Sequence, residues 1–210
     1  CANAIQLTNI SNYSSGNDEF SNVGDTNTTV AMPSCWFVET KSDVWFSFIA
    51  IGTHLQIKII GGKAAGKIKN ISFALYSGNC DTLKPIPNVC DATSGLDSIR
   101  GYSKDLKIGQ RYFLRIGSHK NYQGTFKLCV NNFTPFVTAN DYADAVKLCD
   151  KSDRLDIVKG GPGKDDQLIW YSSCVQKETN TSWYRWKCKQ SGTLTVDILP
   201  FKNSVDLDAV

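Results

Sequence analysis

The chain has 210 residues, of which 41 % are hydrophobic, 20 % are charged and 11 % are aromatic. This composition is typical of a globular protein long enough to bury a core, and it excludes disordered and collagen-like chains. The formal net charge of +3 leaves no electrostatic footprint for nucleic acid. No apolar run approaches the ~20 residues of a membrane-spanning helix. We therefore expect no nucleic-acid partner and no membrane span in this segment.

Alternating apolar residues predict a series of half-buried strands. Their apolar members are, in chain order, Val44, Phe46 and Phe48; Leu55, Ile57 and Ile59; Ile71, Phe73 and Leu75; Tyr112, Leu114 and Ile116; and Phe126, Leu128 and Val130. Turns rich in glycine separate these strands, and one short helix is predicted over residues 141–148, with Asn140 as its N-cap. The pattern predicts an all-β fold made of antiparallel, jelly-roll-like β-sandwiches.

The chain also resembles itself at an offset of about 140 residues. The matched pairs of segments are Cys1–Ile5 with Tyr142–Val146, Ser34–Cys35 with Ser173–Cys174, Trp45–Phe48 with Trp183–Trp186, and Gly52–Ile59 with Gly192–Ile198. The repeat predicts two tandem sandwich units, residues 1–135 and 136–210. The second unit lacks counterparts of the later strands, so we expect it to be incomplete here and to continue in a longer polypeptide.

Eight cysteines, an even number, lie along the chain without any C-x-x-C pair. Since the sequence has only two histidines, zinc ligation and dithiol chemistry are poorly supported. The cysteines therefore predict a set of disulfides and an oxidising compartment, which means a secreted, periplasmic or cell-surface protein. The predicted disulfide cysteines are Cys1, Cys35, Cys80, Cys90, Cys129, Cys149, Cys174 and Cys188.

Two bridges are expected in the first unit. A Cys1–Cys35 bridge would tie the N-terminal segment to the loop before the Trp45 strand. A Cys80–Cys90 bridge would close a short loop after the strand that contains Phe73. Each bridge would stabilise the fold by about 2–4 kcal/mol, mainly because it constrains the unfolded chain.

The other four cysteines allow three pairings, and the sequence leaves the choice open. Cys129 alternates with apolar residues and is expected to face outward. A bridge from Cys129 to Cys149 would join the two units and leave Cys174 to pair with Cys188. Such a bridge would stiffen the junction between the units.

Catalytic chemistry has little support in the sequence, and no catalytic residue is predicted. His54 lies on the polar face of a strand and His119 lies in a polar turn, so both are expected to be solvated. A Ser-His-Asp or Cys-His arrangement would need a histidine base held by an orienting carboxylate. We therefore expect a protein that is not an enzyme.

Calcium is the one cofactor that the sequence suggests, because Ca²⁺ takes several carboxylate and carbonyl oxygens from loops. The competing interpretation is that the acidic residues belong to turns or to a solvated face. The candidate ligands are Asp141 and Asp144, Asp165 and Asp166, and Asp206 and Asp208.

Aromatic residues suggest a place where a sugar ring stacks. Trp45 and Trp183 occupy equivalent positions in the repeat, so both are expected to pack in a core between two sheets. Trp36 and Trp170 are the better candidates for exposed rings that bind a glycan.

The order of several short motifs carries a family resemblance over nearly the whole chain. The motifs are Cys1–Ile5, Asp43–Phe48, Ala74–Cys80 and Gly109–Ile116 in the first unit, and Trp183–Cys188 and Ser191–Val196 in the second. They resemble the β-sandwich repeats of Bacteroidota surface proteins, which are similar to pre-peptidase C-terminal domains. Such repeats occur in large adhesins exported by the type IX secretion system, including gliding-motility proteins. Tyr142 departs from the pattern, since the repeat has a cysteine there. The C-terminal secretion signal of such proteins is also absent, as a continuing chain would require.

The resemblance implies a non-enzymatic extracellular protein at the bacterial outer-membrane surface, acting in adhesion or as a stalk or filament. Its partners would be a glycan or protein ligand, further repeats of the same polypeptide, and the secretion machinery during export. Thr82 and Ser98 match the Asp-Ser/Thr-apolar pattern used for O-glycosylation in Bacteroidota. The alternative is an accessory glycan-binding or export-assisting module of a secreted hydrolase or peptidase.

Overall fold

The alternating strands predicted from the sequence form two packed sheets in a computed structural model of the chain. The structure describes residues 1–24, 30–36, 40, 42–118, 122–135, 139–148, 181–188 and 190–198. The chain divides into two units, Cys1–Thr134 and Pro135–Val210. This division lies one residue before the boundary drawn from the repeat.

The first unit contains ten strands and one short helix among its described residues. The strands are Ile5–Gln6 (β1), Tyr13–Ser14 (β2), Phe20–Ser21 (β3), Val44–Ile49 (β4), His54–Ile60 (β5), Ile71–Ser77 (β6), Lys84–Asp91 (β7), Ser98–Ser103 (β8), Arg111–Ser118 (β9) and Thr125–Phe133 (β10); the helix is Gly62–Ala65 (α1).

The strands form two five-stranded sheets. Sheet A has the order β1-β4-β9-β6-β7, and sheet B has the order β2-β10-β5-β8, with β3 also pairing with β10. Neighbouring strands are antiparallel except β1, which pairs in parallel with β4. When β1 is set aside and β2 and β3 count as one broken strand, the sheets read 2-7-4-5 and 1-8-3-6, the strand order of a jelly roll. The predicted all-β sandwich is confirmed.

The main core lies between the two sheets, where the alternating apolar residues face each other. All five predicted strands contribute buried side chains to it. Phe46, Leu55, Ile71, Leu114 and Phe126 are each fully buried there. This packing of inward faces is what the period of two along each strand predicts.

A second core covers the outer face of sheet A. It consists of Trp36, Trp45, Ala74, Tyr76, Leu83 and Phe113. Trp45 is buried as predicted, but it lies in this outer layer and not between the sheets, because it alternates with Phe46. The segment 30–36 and the N-terminal turn pack over this layer. Sheet A is therefore buried on both faces.

Two disulfides tie this covering layer to sheet A. Cys1 is bonded to Cys80 and Cys35 is bonded to Cys90, with Cα–Cα distances of 5.4 and 6.2 Å. The prediction of disulfides is confirmed, and they indicate an oxidising compartment. The predicted pairs, Cys1–Cys35 and Cys80–Cys90, are wrong.

The β6–β7 hairpin explains why Cys80 and Cys90 do not pair. Cys90 lies opposite Ala74 on the neighbouring strand, whereas Cys80 lies in the turn beyond Ser77. Ser77 lies three residue steps beyond Ala74, which is about 10 Å along the hairpin. A disulfide spans no more than about 7 Å between Cα atoms. The hairpin therefore leaves each cysteine to pair with the layer above.

Cys129 and Cys188 are free thiols in the structure. The proposed bridge from Cys129 to Cys149 and the accompanying Cys174–Cys188 pair are therefore not formed. Cys129 is half-buried on the outer face of sheet B, with its Sγ atom 3.6 Å from Ser14 Oγ. Cys149 and Cys174 lie outside the described residues.

In the second unit, the prediction of a helix over residues 141–148 is wrong. A single 3₁₀ turn covers Tyr142–Asp144, with Asp141 and not Asn140 as its N-cap residue. A strand then begins, Val146–Lys147 (β11), which pairs in parallel with Tyr184–Arg185 (β12). A strand forms here instead of a helix because its backbone groups make hydrogen bonds with the β12 segment.

The same local arrangement recurs at repeat-related positions of the two units. In the first, Ile5 pairs with Phe46, and Ala4 N donates to Cys1 O over 3.0 Å. In the second, the corresponding Val146 pairs with Tyr184, and the corresponding backbone bond of the turn measures 3.1 Å. A continuation of the second unit as a full sandwich stays a prediction.

None of the helices in the described ranges has the length and apolar character needed to cross a membrane.

Candidate binding surface

The two outer faces of the first unit differ. The outer face of sheet A is sealed by the second core, whereas the outer face of sheet B carries no such layer among the described residues. We call the latter the open face. Its members are Ser14 of β2; Lys127, Cys129, Asn131 and Phe133 of β10; His54, Gln56, Lys58 and Ile60 of β5; and Ser98, Arg100 and Tyr102 of β8. All of them except His54 are exposed or half-buried.

Strand register arranges these side chains in rows across the sheet. Each row joins residues that lie opposite one another on β10, β5 and β8. The rows are Phe133 and His54; Asn131, Gln56 and Tyr102; Cys129, Lys58 and Arg100; and Lys127, Ile60 and Ser98. Neighbouring strands lie about 4.8 Å apart, so each row forms a short line of adjacent side chains.

The middle of the open face is positively charged. Lys58 lies directly opposite Arg100, and Lys127 is the diagonal neighbour of Lys58. No side-chain hydrogen bond or ion pair of these three residues is found within the described part of the chain. Like charges directly opposite each other destabilise a sheet, and no member of the open face is acidic. The fold therefore holds three unneutralised cations together at a cost in stability.

An aromatic group borders the charged rows. The His54 ring lies 5.8 Å from the ring of Tyr102 and 5.8 Å from that of Phe133. His54 Nδ1 is 2.9 Å from Thr53 Oγ1. Burial lowers the pKa of His54, and burial together with the negative charge of Asp105 raises the pKa of Tyr102. The prediction that His54 is a solvated histidine is wrong, because aromatic rings on the neighbouring strands cover it.

A groove adjoins the opposite border of the open face, lined by small residues and by charged ones. It has a volume of about 750 Å³, and its lining includes Asp18, Asp97, Lys67 and Lys69. Asp97 directly precedes β8, and Asp18 accepts a hydrogen bond from Thr125 of β10. Because two acidic and two basic residues line it, the groove has no excess charge of either sign.

Trp36 is not an exposed stacking platform, and that prediction is wrong. The residue is 3 % exposed, and its Nε1 atom donates to the Phe73 carbonyl oxygen over 3.2 Å. The Arg115 guanidinium lies 4.9 Å from the centre of the ring. The adjacent Cys35–Cys90 bridge holds the Trp36 segment on sheet A, which explains the burial. Trp170 lies outside the described residues.

The other predicted sites are only partly described. Asp141 is half-buried and Asp144 is exposed. In the part of the chain that the structure describes, no three His, Cys, Asp or Glu side chains come together as a metal site. The remaining calcium candidates, Asp165, Asp166, Asp206 and Asp208, lie outside it.

The two predicted O-glycosylation residues are both exposed. Thr82 lies in the turn after β6, where its backbone N–H donates to Asn79 O over 2.9 Å. Ser98 is the first residue of β8 and not a loop residue. Modification of either stays a prediction.

His119 lies outside the described residues.

Comparisons with known proteins place no family name on the chain. No protein-family model and no curated protein matches it. A solved structure that matches is the catalytic unit of a thermostable GH87 alpha-1,3-glucanase from Streptomyces thermodiastaticus strain HF3-3, with 12 % sequence identity and a TM-score of 0.29. The match covers 66 % of this chain and 29 % of the glucanase chain. A likeness of this size carries no argument about function.

Sequence reasoning did not find the charged rows. Lys58 and Lys127 are visible as polar residues within apolar strands, but they are 69 positions apart in the chain. Arg100 lies in β8, which the alternation did not predict. Only the pairing of β10 with β5 and of β5 with β8 brings the three residues together.

Proposed function

We propose that this chain is a non-catalytic, extracellular adhesion module that binds its ligand on the open face. The single observation that carries the proposal is the contrast between the two sheets: one outer face is sealed under a disulfide-tied layer, and the other presents unneutralised cations to solvent. A sheet face with adjacent cations, amides and a tyrosine offers both charge and hydrogen-bonding groups to an extended ligand.

The two disulfides support an extracellular setting for this module. The repeat supports a parent protein in which several such modules act together, so that weak contacts sum to firm attachment. The bacterial outer-membrane surface, type IX export and a role in gliding adhesion follow from the family resemblance and belong to the same proposal.

Blocking the open face provides a test. A bulky maleimide attached to Cys129 would cover the middle of the face, because the thiol lies beside Lys58. We expect labelling to abolish adhesion of beads coated with the full chain to a panel of immobilised neutral and acidic polysaccharides and matrix proteins. The matched control is Cys129→Ser, in which the other free thiols are labelled equally and adhesion should persist.

The same panel distinguishes adhesion from other roles. Gln56→Trp crowds the face without any thiol chemistry and should also abolish adhesion. Adhesion that survives both Cys129 labelling and Gln56→Trp would overturn the proposal, as would the absence of adhesion to every surface of the panel. Release of reducing ends from a polysaccharide incubated with the chain would show an enzyme instead.

The accessory-module alternative differs in what lies beyond this segment. Unreduced peptide mapping of the native parent protein would show further sandwich repeats if the chain belongs to an adhesin. A catalytic domain in the parent would favour an accessory glycan-binding or export-assisting module.

A further inference from the structure

We infer that the ligand of the open face is an acidic polysaccharide, bound as an extended chain across β10, β5 and β8. This inference rests on the proposed function, since it names the ligand class of that same surface. The positive charge of the open face is the main observation that points to an acidic ligand. Lys58, Arg100 and Lys127 present three cationic groups without a counter-charge on the face, so bound carboxylate or sulfate groups would relieve their repulsion.

The positions of the cations fit a linear polymer with repeated charges. Lys58 and Arg100 lie on adjacent strands with Cβ atoms about 5 Å apart, and Lys127 lies diagonally about 7–8 Å from Lys58. Arg100 is exposed, so its guanidinium can donate two hydrogen bonds to a carboxylate in bidentate geometry. The three charges thus form a line across the sheet and not a single pocket, which suits a chain of acidic sugars.

The row next to the cations supplies groups that recognise sugar hydroxyls. Asn131 and Gln56 lie opposite each other, and Tyr102 follows on β8. The two amides each donate and accept hydrogen bonds, as sugar hydroxyls require. The Tyr102 ring, half-buried against His54, offers an aromatic surface beside them. A ligand that spans both rows meets charge on one side and neutral polar groups on the other.

A nucleic acid is the other common linear polyanion, and the structure favours it less. The chain carries a net charge of only +3, and Asp18 and Asp97 lie at the border of the open face. The acidic residues of this bordering groove are matched by Lys67 and Lys69, so the cationic row does not continue into the longer basic track that a nucleic-acid backbone needs. The two disulfides also indicate a compartment in which polysaccharides are the usual polyanions.

Affinity measurements with defined polymers test the inference. The full chain is titrated with polygalacturonate, dextran sulfate, neutral dextran and single-stranded DNA at two salt concentrations. We expect polygalacturonate or dextran sulfate to bind most tightly, and binding to weaken as salt rises. The variant Lys58→Gln/Arg100→Gln/Lys127→Gln should lose at least about tenfold in affinity and most of the salt dependence.

The control variant removes positive charge elsewhere on the first unit. Lys84 and Lys107 are both exposed and lie outside the open face. Lys84→Gln/Lys107→Gln should therefore bind nearly as the unaltered chain does, and the pair Lys58→Gln/Arg100→Gln provides the charge-matched comparison. Removing like-charged neighbours should leave the melting temperature unchanged or raise it, which shows that the loss of binding is not a loss of folding.

Each other result contradicts the inference in a distinct way. An equal loss of affinity in Lys58→Gln/Arg100→Gln and in Lys84→Gln/Lys107→Gln would mean that the polymer is attracted nonspecifically to positive charge. Tightest binding of single-stranded DNA would assign the face to nucleic acid. Neutral dextran could instead bind with an affinity that is independent of salt and unchanged in the charge variants, yet lose its binding when Cys129 is labelled. That result would support the adhesion module and overturn the inference of an acidic ligand. Absence of binding to all four polymers would overturn the acidic ligand, while the wider adhesion panel still tests the module.

Discussion

At the scale of single residues, Arg115 holds together the outer layer of sheet A. Its guanidinium donates to Asp43 Oδ2 over 2.9 Å from Nε and 2.5 Å from Nη2. Trp45 Nε1 donates to the other carboxylate oxygen over 2.8 Å. The rings of Trp36 and Trp45 lie 4.9 and 5.6 Å from the guanidinium carbon. Both charges are buried, so each depends on the other for neutralisation.

Removing Arg115 should therefore destabilise the fold strongly. Arg115→Leu leaves the Asp43 carboxylate buried without its counter-charge, and we expect the free energy of unfolding to fall by about 3–5 kcal/mol. Urea denaturation followed by tryptophan fluorescence measures the change. Arg115→Leu/Asp43→Asn removes both charges and should recover part of the loss. A double variant as unstable as the sum of the two single variants would show that the ion pair contributes no coupling.

We expect the stability of the fold to depend on pH because His54 is buried. Burial lowers the pKa of its imidazole in the folded chain below the ordinary value of 6.5, which the unfolded chain keeps. Well above pH 6.5 the ring is uncharged in both states, so the burial of His54 adds no pH dependence there. Below it the unfolded chain takes up the proton first, and the free energy of unfolding falls as pH drops toward the folded-state pKa.

The control for this effect is His54→Gln, which cannot titrate. Denaturation curves at pH values from about 7.5 to 5.5 should show a steeper loss of stability in the unaltered chain than in His54→Gln. Parallel pH profiles of the two proteins would contradict the assigned role of His54.

At the scale of elements, the pairing of β8 with the core explains a strand that alternation did not predict. Gly101 of β8 lies opposite Ile57 and faces inward, where an added Cβ would overlap the Phe73 ring of sheet A. The inward residues of this strand are Ile99, Gly101 and Ser103, and only the first of them is large and apolar. A small residue is needed because an aromatic ring from the other sheet fills the space.

Gly101→Ala should consequently lower stability. The overlap with Phe73 forces the ring or the strand to shift, with an expected loss of about 1–3 kcal/mol. Thermal denaturation of the variant measures it. The double variant Gly101→Ala/Phe73→Leu opens the space that the methyl group needs, so it should be nearly as stable as Phe73→Leu alone. Losses that simply add would contradict the proposed contact.

The predicted elements succeeded where one face of a strand is apolar and failed where burial comes from other causes. Strand β10 alternates between buried and half-buried residues along its whole length, and the sequence predicted its part from Phe126 to Val130. Strand β7 contains Pro85 and Pro87 and buries mainly Val89, so its sequence lacks the alternation that indicates a strand. The predicted helix over residues 141–148 failed because β11 pairs with a strand almost 40 positions later in the chain.

At the scale of the whole molecule, the two disulfides act through the unfolded chain. They connect residues 79 and 55 positions apart, so each closes a long loop. Cys35→Ser/Cys90→Ser should lower the free energy of unfolding by about 2–4 kcal/mol, and reduction of both bridges should lower it further. Unreduced peptide mapping should recover peptides that join Cys1 to Cys80.

The outcome of that mapping also tests the path of the covering layer. Peptides that join Cys1 to Cys35 would contradict the observed pairing. Cys129→Ser is the matched control for denaturation, because it removes a thiol that forms no bridge, and its stability should remain close to that of the unaltered chain.

Local sequence patterns were enough to predict the all-β class, the positions of the main strands and the presence of disulfides. These features follow from local periodicity and composition, which each segment carries alone. Tertiary structure decided which cysteines pair, why Trp36 is buried and why Lys58, Arg100 and Lys127 share one face. Asn132 shows the reason: its buried amide bonds Ile51, Gly52 and His54, about 80 positions earlier in the chain. Such contacts depend on strand pairing between distant segments, and no local pattern in either segment records its partner.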